Sequence, residues 1–297
     1  MQTHAFPSSF SSSESWSILS DIERSIKAKI EAIGTPLKDW DIQINYGIKT
    51  GFNDAFIIDS TKRNKILDAC QSEDERQRTA EIIRPILRGR DIKRYGYVFA
   101  DQYLIATFPA KQYDIDDYHA LKDYLLTIGI ERLEQTGEEH IVNGERIKAR
   151  KKTNNKWFET QDSISYWDEF SKPKIVWAEL SRTGNSFAYS EDGAMVLNTC
   201  YILSFNDNDR HERELNTLLG FLNSKIALFY LDIISSKLDE TGWRWLKQFV
   251  EQIPVPVQMA FKEEGQFTNK DSASINAQLY QQLGLSPAEA EYLEGLI

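Results

Sequence analysis

The chain has 297 residues, 41% of them hydrophobic and 12% aromatic, which is enough to bury a full core and argues against general disorder. Its 45 acidic residues outnumber 35 basic ones, giving a net charge of -10, so any affinity for a polyanion has to come from local clustering rather than bulk charge. No apolar run approaches the roughly 20 residues a membrane-spanning helix requires, and the start MQTHAFPSSFSSSESW lacks the basic and apolar regions of a secretory signal.

Residues 1–14 are Ser-rich and read as a flexible lead-in. Trp16, Leu19, Ile22, Ile26, Ile30 and Ile33 then recur at three- and four-residue spacing, which predicts a helix stopped by Gly34. Alternation of Ile42, Ile44 and Tyr46 predicts a strand, Gly47 and Gly51 bracket a turn, and Ala55 to Ile58 reads as a second strand. Thr61 to Gln71 and Asp74 to Ile83 read as helices, the second ended by Pro85. Tyr97 to Phe99 and Tyr103 to Phe108 read as strands, Asp116 to Gln135 as one long helix, and Thr136 to Asn155 as a polar, basic loop. Strand character returns at Lys174 to Ala178, Phe187 to Tyr189 and Cys200 to Phe205. Leu215, Leu218, Leu219, Leu222, Ile226, Phe229 and Ile233 form an apolar stripe that predicts a core helix, and Pro254-Val255-Pro256 ends that region. Ser286, Pro287 and Glu289 occupy the N-cap, N1 and N3 positions of a short final helix. Strands and helices mix without regular βαβ alternation, so the expected class is α+β: mostly antiparallel sheet with packed helices, plus C-terminal helices.

No catalytic pattern is legible. The chain lacks a GxxxxGK[ST] phosphate loop, a GxGxxG fingerprint, a Pro-Pro pair and a GxSxG elbow. His4, His119, His140 and His211 form no metal-binding pattern, and Cys70 and Cys200 are too far apart for a C-x-x-C site, which predicts two buried, reduced thiols in a cytoplasmic protein. One D/E-x-K tripeptide, Asp91-Ile92-Lys93, has the form of a metal-nuclease motif, but it lies within a basic run where pairing of Asp91 with a neighbouring Arg is the simpler reading.

Positive signals are concentrated in a few places. Arg84, Arg88, Arg90, Lys93 and Arg94 crowd one stretch with Asp91 as its only acid, and Arg146, Lys148, Arg150, Lys151, Lys152 and Lys156 form a second basic run. On an acidic protein such patches point to a partner with regularly spaced negative charge, and nucleic acid leads. Lys49, Thr50 and Asn53 should project from the Gly47–Gly51 turn, with chemistry suited to phosphates and base edges. Gly89 lets the Arg88 and Arg90 forks be aimed independently. Trp243-Arg244-Trp245-Leu246-Lys247 mixes aromatic and basic residues; the two Trp are expected to pack while Arg244 or Lys247 reaches a partner. Arg182 lies in a loop, Ser181 to Asn185, after a predicted strand.

Four blocks at these positions carry a family resemblance: IEAIGTPLKDWDIQINYGIKTGFNDAFIID, IIRPILRGRDIKRY, YWDEFSKPKIVWAEL and LNSKIALFYLDIISSKLDETGWRWLKQFVEQIPVP. In this order, from about Ile30 to Pro256, the sequence resembles the TaqI-like C-terminal specificity domain of type II, especially type IIG, restriction-modification enzymes. It departs from many relatives in carrying acids in the DETGWRW segment where they have a Gly-rich turn. The resemblance implies a target-recognition domain over 15–257 and a C-terminal helical extension over 258–297. It also implies double-stranded DNA as partner and a catalytic adenine-N6 methyltransferase domain, fused upstream or separate. S-adenosylmethionine and Mg2+ are expected for the parent enzyme, with no cofactor in this chain. The expected DNA-binding residues are Lys49, Thr50, Asn53, Arg88, Arg90, Arg94, Arg182, Arg244 and Lys247, with no membrane contact. The alternatives are a docking subunit for a separate methyltransferase, using the Leu215 to Ile233 helix, and a nuclease fragment using Asp91 and Lys93.

Overall fold

The computed structural model describes residues 19–206, 212–235, 237–239, 242–256 and 268–296; the lead-in over 1–14, Trp16, His4 and His211 lie outside them. The architecture is α+β. The chain divides into two compact units that do not follow linear order: Ile42–Glu179 with Ser186–Leu215, and Met1–Asp41 with Leu180–Asn185 and Asn216–Ile297.

The first unit is built on two four-stranded sheets. One runs Phe187–Ser190, Lys174–Ala178, Cys200–Phe205, Ile42–Tyr46, with every neighbour antiparallel. The other runs Met195–Val196, Ile83–Leu87, Gln102–Ile105, Ile57–Asp59, with only the first pair parallel. Alternation sorts the side chains of the first sheet. Val176, Ala188 and Ile202 join a core with Phe56, Ile86, Leu104, Leu121 and Phe170. On the opposite face the register lines up Phe187, Trp177, Tyr201 and Tyr46 as one aromatic row, with Trp177 and Tyr201 stacked at 5.1 Å. Three of the four rings are buried; Tyr46, at the end of the row, is 55% exposed.

In the second unit the helix Asp21–Ile33 begins with Ser20, whose side chain and Glu23 cap each other's backbone, and buries Ile26 and Ile30. Gly34–Pro36 pairs antiparallel with Pro254–Pro256, and a Cβ on Gly34 would stand 2.6 Å from that of Pro254. Lys237–Asp239, Gly242–Arg244 and Leu180–Ser181 make a small antiparallel sheet. The final helix, Pro287–Glu294, has the expected Ser286 capping box, and Glu289 additionally accepts from Ser25 Oγ at 2.6 Å and Lys29 Nζ at 2.7 Å.

Several expectations need correcting. Ala55 to Ile58 is not one strand: the turn Asn53–Phe56 is helical and the strand Ile57–Asp59 follows. Pro85 lies inside the strand Ile83–Leu87, the preceding helix having ended at Ile82. No strand forms over Tyr97 to Phe99, where only an isolated bridge joins Tyr97 to Ile92. The long helix breaks into His119–Leu126 and Ile130–Leu133 because Gly129 sits at φ +95°, a left-handed conformation that ends a helix. Within 136–155, the loop expectation missed an antiparallel hairpin, Glu139–Val142 with Glu145–Lys148, turned by Asn143 and Gly144 at positive φ. The single apolar helix is two, Glu212–Leu222 and Lys225–Ile234, with a 60° bend and Ser224 as a new N-cap. Among the described residues no single helix is long and apolar enough to cross a membrane.

Candidate nucleic-acid interface

The two most informative sequence blocks meet on one short segment. Gly47 N–H donates to Cys200 O at 2.8 Å, Ile48 N–H to Val196 O at 2.8 Å, and Asn198 N–H to Ile48 O at 3.0 Å. From the other block Leu87 O accepts Leu197 N–H at 3.0 Å, and Glu179 N–H donates to Thr199 O at 2.8 Å. The segment Val196 to Cys200 is thereby held between Gly47-Ile48 on one side and, on the other, Leu87, the last strand residue before the Arg88–Asp91 turn, and Glu179. Glycine is needed on the first side because a Cβ on Gly47 would lie 1.9 Å from Leu197 O. On the second side a Cβ on Gly89 would come within 3.1 Å of that of Ala178. Asn198 and Thr199 are left exposed at the tip of the clamped segment.

Within this frame the expected residues have different fates. Lys49 is exposed, and its carbonyl is held by the amides of Gln161 at 3.2 Å and Asp162 at 3.3 Å. Burial, opposed by the charges of Lys49 and Lys151, pushes the Asp162 carboxyl up. Thr50 does not project as expected: it is 1% exposed, its hydroxyl donates to Asn53 Oδ1 at 2.7 Å and accepts from Phe52 N–H at 3.1 Å. Asn53 is exposed, but that Oδ1 is occupied by Thr50. Arg150, from the second basic run, is a buried staple beneath the same turn. Its guanidinium donates to the carbonyls of Thr50 and Glu159 at 2.8 Å, Leu133 at 2.8 Å and Trp157 at 2.7 Å. Burial, with Glu159 opposing it, lowers its pKa to about 10.

Arg88 and Arg90 separate in the same way. Arg88 grips Asp91 with two parallel bonds of 2.9 Å, and Asp91 also accepts Arg88 N–H at 2.9 Å. Burial, the largest influence on Asp91, pushes its carboxyl up, but the Arg88 bonds together with the charges of Arg88 and Arg90 outweigh it and hold Asp91 below the usual carboxylate range. The pairing read from sequence for Asp91 is therefore present, and both its oxygens are engaged. Among the described residues no group of three or more His, Cys, Asp or Glu is placed to hold a metal ion. Arg90 is exposed, and its carbonyl accepts from Lys93 Nζ at 2.7 Å. Arg94 is half-buried, with its guanidinium 5.6 Å from the centre of the Tyr95 ring.

The other three expected residues belong to the second unit. Arg182 is exposed beside Gly184, which sits at φ +81°. Asn185, at the end of that loop, is buried and donates to Leu222 O at 2.6 Å and Ser224 O at 2.9 Å. Arg244 lies opposite Leu180 in the small sheet, and Lys247 opens the short helix Lys247–Val250; both are half-buried. The two Trp do pack, at 5.8 Å between ring centres, with Nε1 of Trp243 donating to Asp232 Oδ1 at 2.6 Å and Nε1 of Trp245 to Gly184 O at 3.2 Å.

Three exposed residues of this surface, Tyr46, Asn198 and Thr199, escaped the sequence reading. Asn198 and Thr199 sit in an unremarkable LNTC tetrapeptide, and only backbone pairing shows them to be flanked by the Gly47 turn and the first basic run. Tyr46 carried a usable signal, an aromatic directly before the Gly47 turn.

The profile of the TaqI-like C-terminal specificity domain matches residues 84–255, more than half of the chain. The chain belongs to this family. No curated protein matches it. Among solved structures it is similar to the type IIG restriction endonuclease BpuSI, at 14% identity and a TM-score of 0.48 over 93% of this chain and 28% of BpuSI. It is also similar to the type IIL restriction-modification enzyme MmeI, solved in complex with DNA, at 12% identity and a TM-score of 0.45 over 87% of this chain and 32% of MmeI. The TaqI-like specificity domain thus spans about a third or less of the solved chains it matches.

Proposed function

We propose that this TaqI-like specificity domain recognises a short duplex DNA target on behalf of an adenine-N6 methyltransferase or restriction enzyme of type II or IIG. In this reading the chain holds the duplex and reads it, while a catalytic domain, fused or separate, binds S-adenosylmethionine and Mg2+ and performs the chemistry in the cytoplasm. The observation that carries the proposal is the convergence of the Gly47 turn and the first basic run on Val196 to Cys200. It sets exposed Lys49 and Arg90 on turns that flank exposed Asn198 and Thr199. Cations on the flanks suit phosphate contacts, which fix register, and Asn and Thr between them suit base edges, which carry sequence. Arg182, Arg244, Lys247 and Arg94 are assigned supporting phosphate contacts.

Selection of bound duplexes from a randomised pool at low salt tests the reading. An enriched motif of a few base pairs, lost in Asn198→Ala, is the expected result; retention without enrichment would leave phosphate binding alone, and no retention would reject DNA recognition by this chain. The docking alternative is less favoured, because six residues of its stripe, Leu215, Leu218, Leu219, Leu222, Ile226 and Phe229, are buried within the chain and only Ile233 is half-buried. For the nuclease alternative, Asp91 has both oxygens committed to Arg88.

A further inference from the structure

A cavity of about 400 Å³ opens in the first unit, and none of the expected DNA-binding residues lines it. That volume lies in the range of small-ligand sites, about 300–1,000 Å³. Its lining combines apolar Ile82, Ala106, Phe108 and Met195 with the cations Arg78, Arg84 and Lys111 and the rings of Tyr113, Tyr118 and Trp167. Glu81 is the one acid on the lining.

The three cations are positioned without being neutralised. Arg84 Nη2 donates to Gly193 O at 3.2 Å, and Arg78 Nη2 to Asp117 O at 3.3 Å. Lys111 Nζ stands 2.9 Å from the centre of the Trp167 ring. Among the described residues none of the three makes an ion pair, so neutral carbonyls and a ring fix their places while their charge stays available. The fit of Arg84 is specific: a Cβ on Gly193 would stand 2.4 Å from Nη2, so a side chain there would evict the guanidinium. Arg84 belongs to the first basic run, yet the proposed DNA surface does not use it. Tyr113 and Tyr118 meet edge to face at 5.8 Å. Burial, reinforced by Tyr118 and Glu81 and opposed by Arg84, pushes the Tyr113 phenol up to about 12, so it remains a hydrogen-bond donor at neutral pH.

From this geometry we propose that the cavity is a binding site for a nucleoside phosphate, the phosphate held by Arg78, Arg84 and Lys111 and the base lying against the tyrosine wall. Guanidinium forks match phosphate oxygens bidentately, and aromatic faces stack on any base. An acidic peptide would satisfy the cations but leave the ring walls without a partner. The site is independent of the DNA-recognition reading and survives its failure.

The test is titration of the full chain with each of the four common nucleoside 5′-monophosphates, adenosine and inorganic phosphate, followed by calorimetry and tryptophan fluorescence. At least one nucleotide is expected to bind about tenfold or more tighter than adenosine or phosphate. Arg78→Gln, exposed and therefore safe for folding, and Lys111→Gln are each expected to weaken it by about tenfold, the equivalent of one lost charge-assisted contact. Arg84→Gln should do the same where thermal melting shows it folded. Displacement of the nucleotide by a 5′-phosphorylated single strand assigns the site to a strand end or extruded nucleotide, and no displacement assigns it to a free nucleotide; either supports the proposal. No nucleotide binding at millimolar concentration, or equal affinity in Arg78→Gln and Lys111→Gln, overturns it.

Discussion

Arg88 and Arg90 look equivalent in the sequence and are not. Arg88 neutralises a carboxylate that is 5% exposed, so Arg88→Ala strands Asp91 and should lower stability by roughly 1.5–3 kcal/mol, read as a fall in the denaturant midpoint. Arg90→Ala removes an exposed cation; it should lower the midpoint far less than Arg88→Ala, weaken DNA binding across all sequences, and reduce the salt slope by about 1. An unchanged slope in Arg90→Ala would remove Arg90 from the interface. Arg150 belongs to the basic run yet holds four carbonyls inside the unit, so Arg150→Met should cost more than about 3 kcal/mol in chemical denaturation. Sequence reasoning located the turns at Gly47 and Gly89 but could not tell a buried staple from a surface contact. The reason is physical: Thr50, Arg88 and Arg150 have the polar chemistry of ligand-binding residues, and what redirects them inward is the arrival of Asn53, a buried Asp91 and the carbonyls of distant loops.

Periodicity served the sequence reading well for Asp21–Ile33, Ile42–Tyr46 and Cys200–Phe205, where an apolar stripe or alternation meets a core directly. It failed where a single residue overrides the pattern. Gly129 divides one apparent helix, Ser224 caps a second helix inside another, and the Asn143-Gly144 turn closes a hairpin whose strands are too polar to announce themselves. Capping also yields a pH dependence. Burial tends to raise the Glu289 carboxyl, but bonds from Lys29, Ser25 and Ser286 prevail and depress it to about 2. A carboxylate depressed on folding stabilises above its unfolded pKa, near 4.5, and that contribution fades as pH falls toward about 2. Glu289→Gln should therefore lower the thermal midpoint at pH 7, with the gap from the parent closing between pH 4.5 and about 2. A gap of constant size across that window would show that the charge of Glu289 is not what stabilises the final helix.

At the scale of the whole molecule, the two units were invisible in the sequence because one is assembled from three separated stretches. The expected extension over 258–297 contributes to that assembly through its described part: Asn276 Oδ1 accepts Lys225 N–H at 3.0 Å, and Tyr292 donates to Glu23 at 2.7 Å. Deleting residues from 258 onward should broaden the unfolding transition and lower its midpoint, while a chain that melts as the parent does would show the extension to be dispensable. The strap Leu180–Asn185 has a different consequence. It is six residues long, it interrupts the first unit in sequence, and it supplies a strand edge to Trp243 and Arg244 together with two carbonyl-seeking bonds from Asn185. Exchange of residues 42–215 between homologues, whether by natural recombination or by a protein engineer seeking a new target, therefore carries a fragment of the other unit with it. Chimaeras that restore the host's own strap should fold where simple cassette swaps do not.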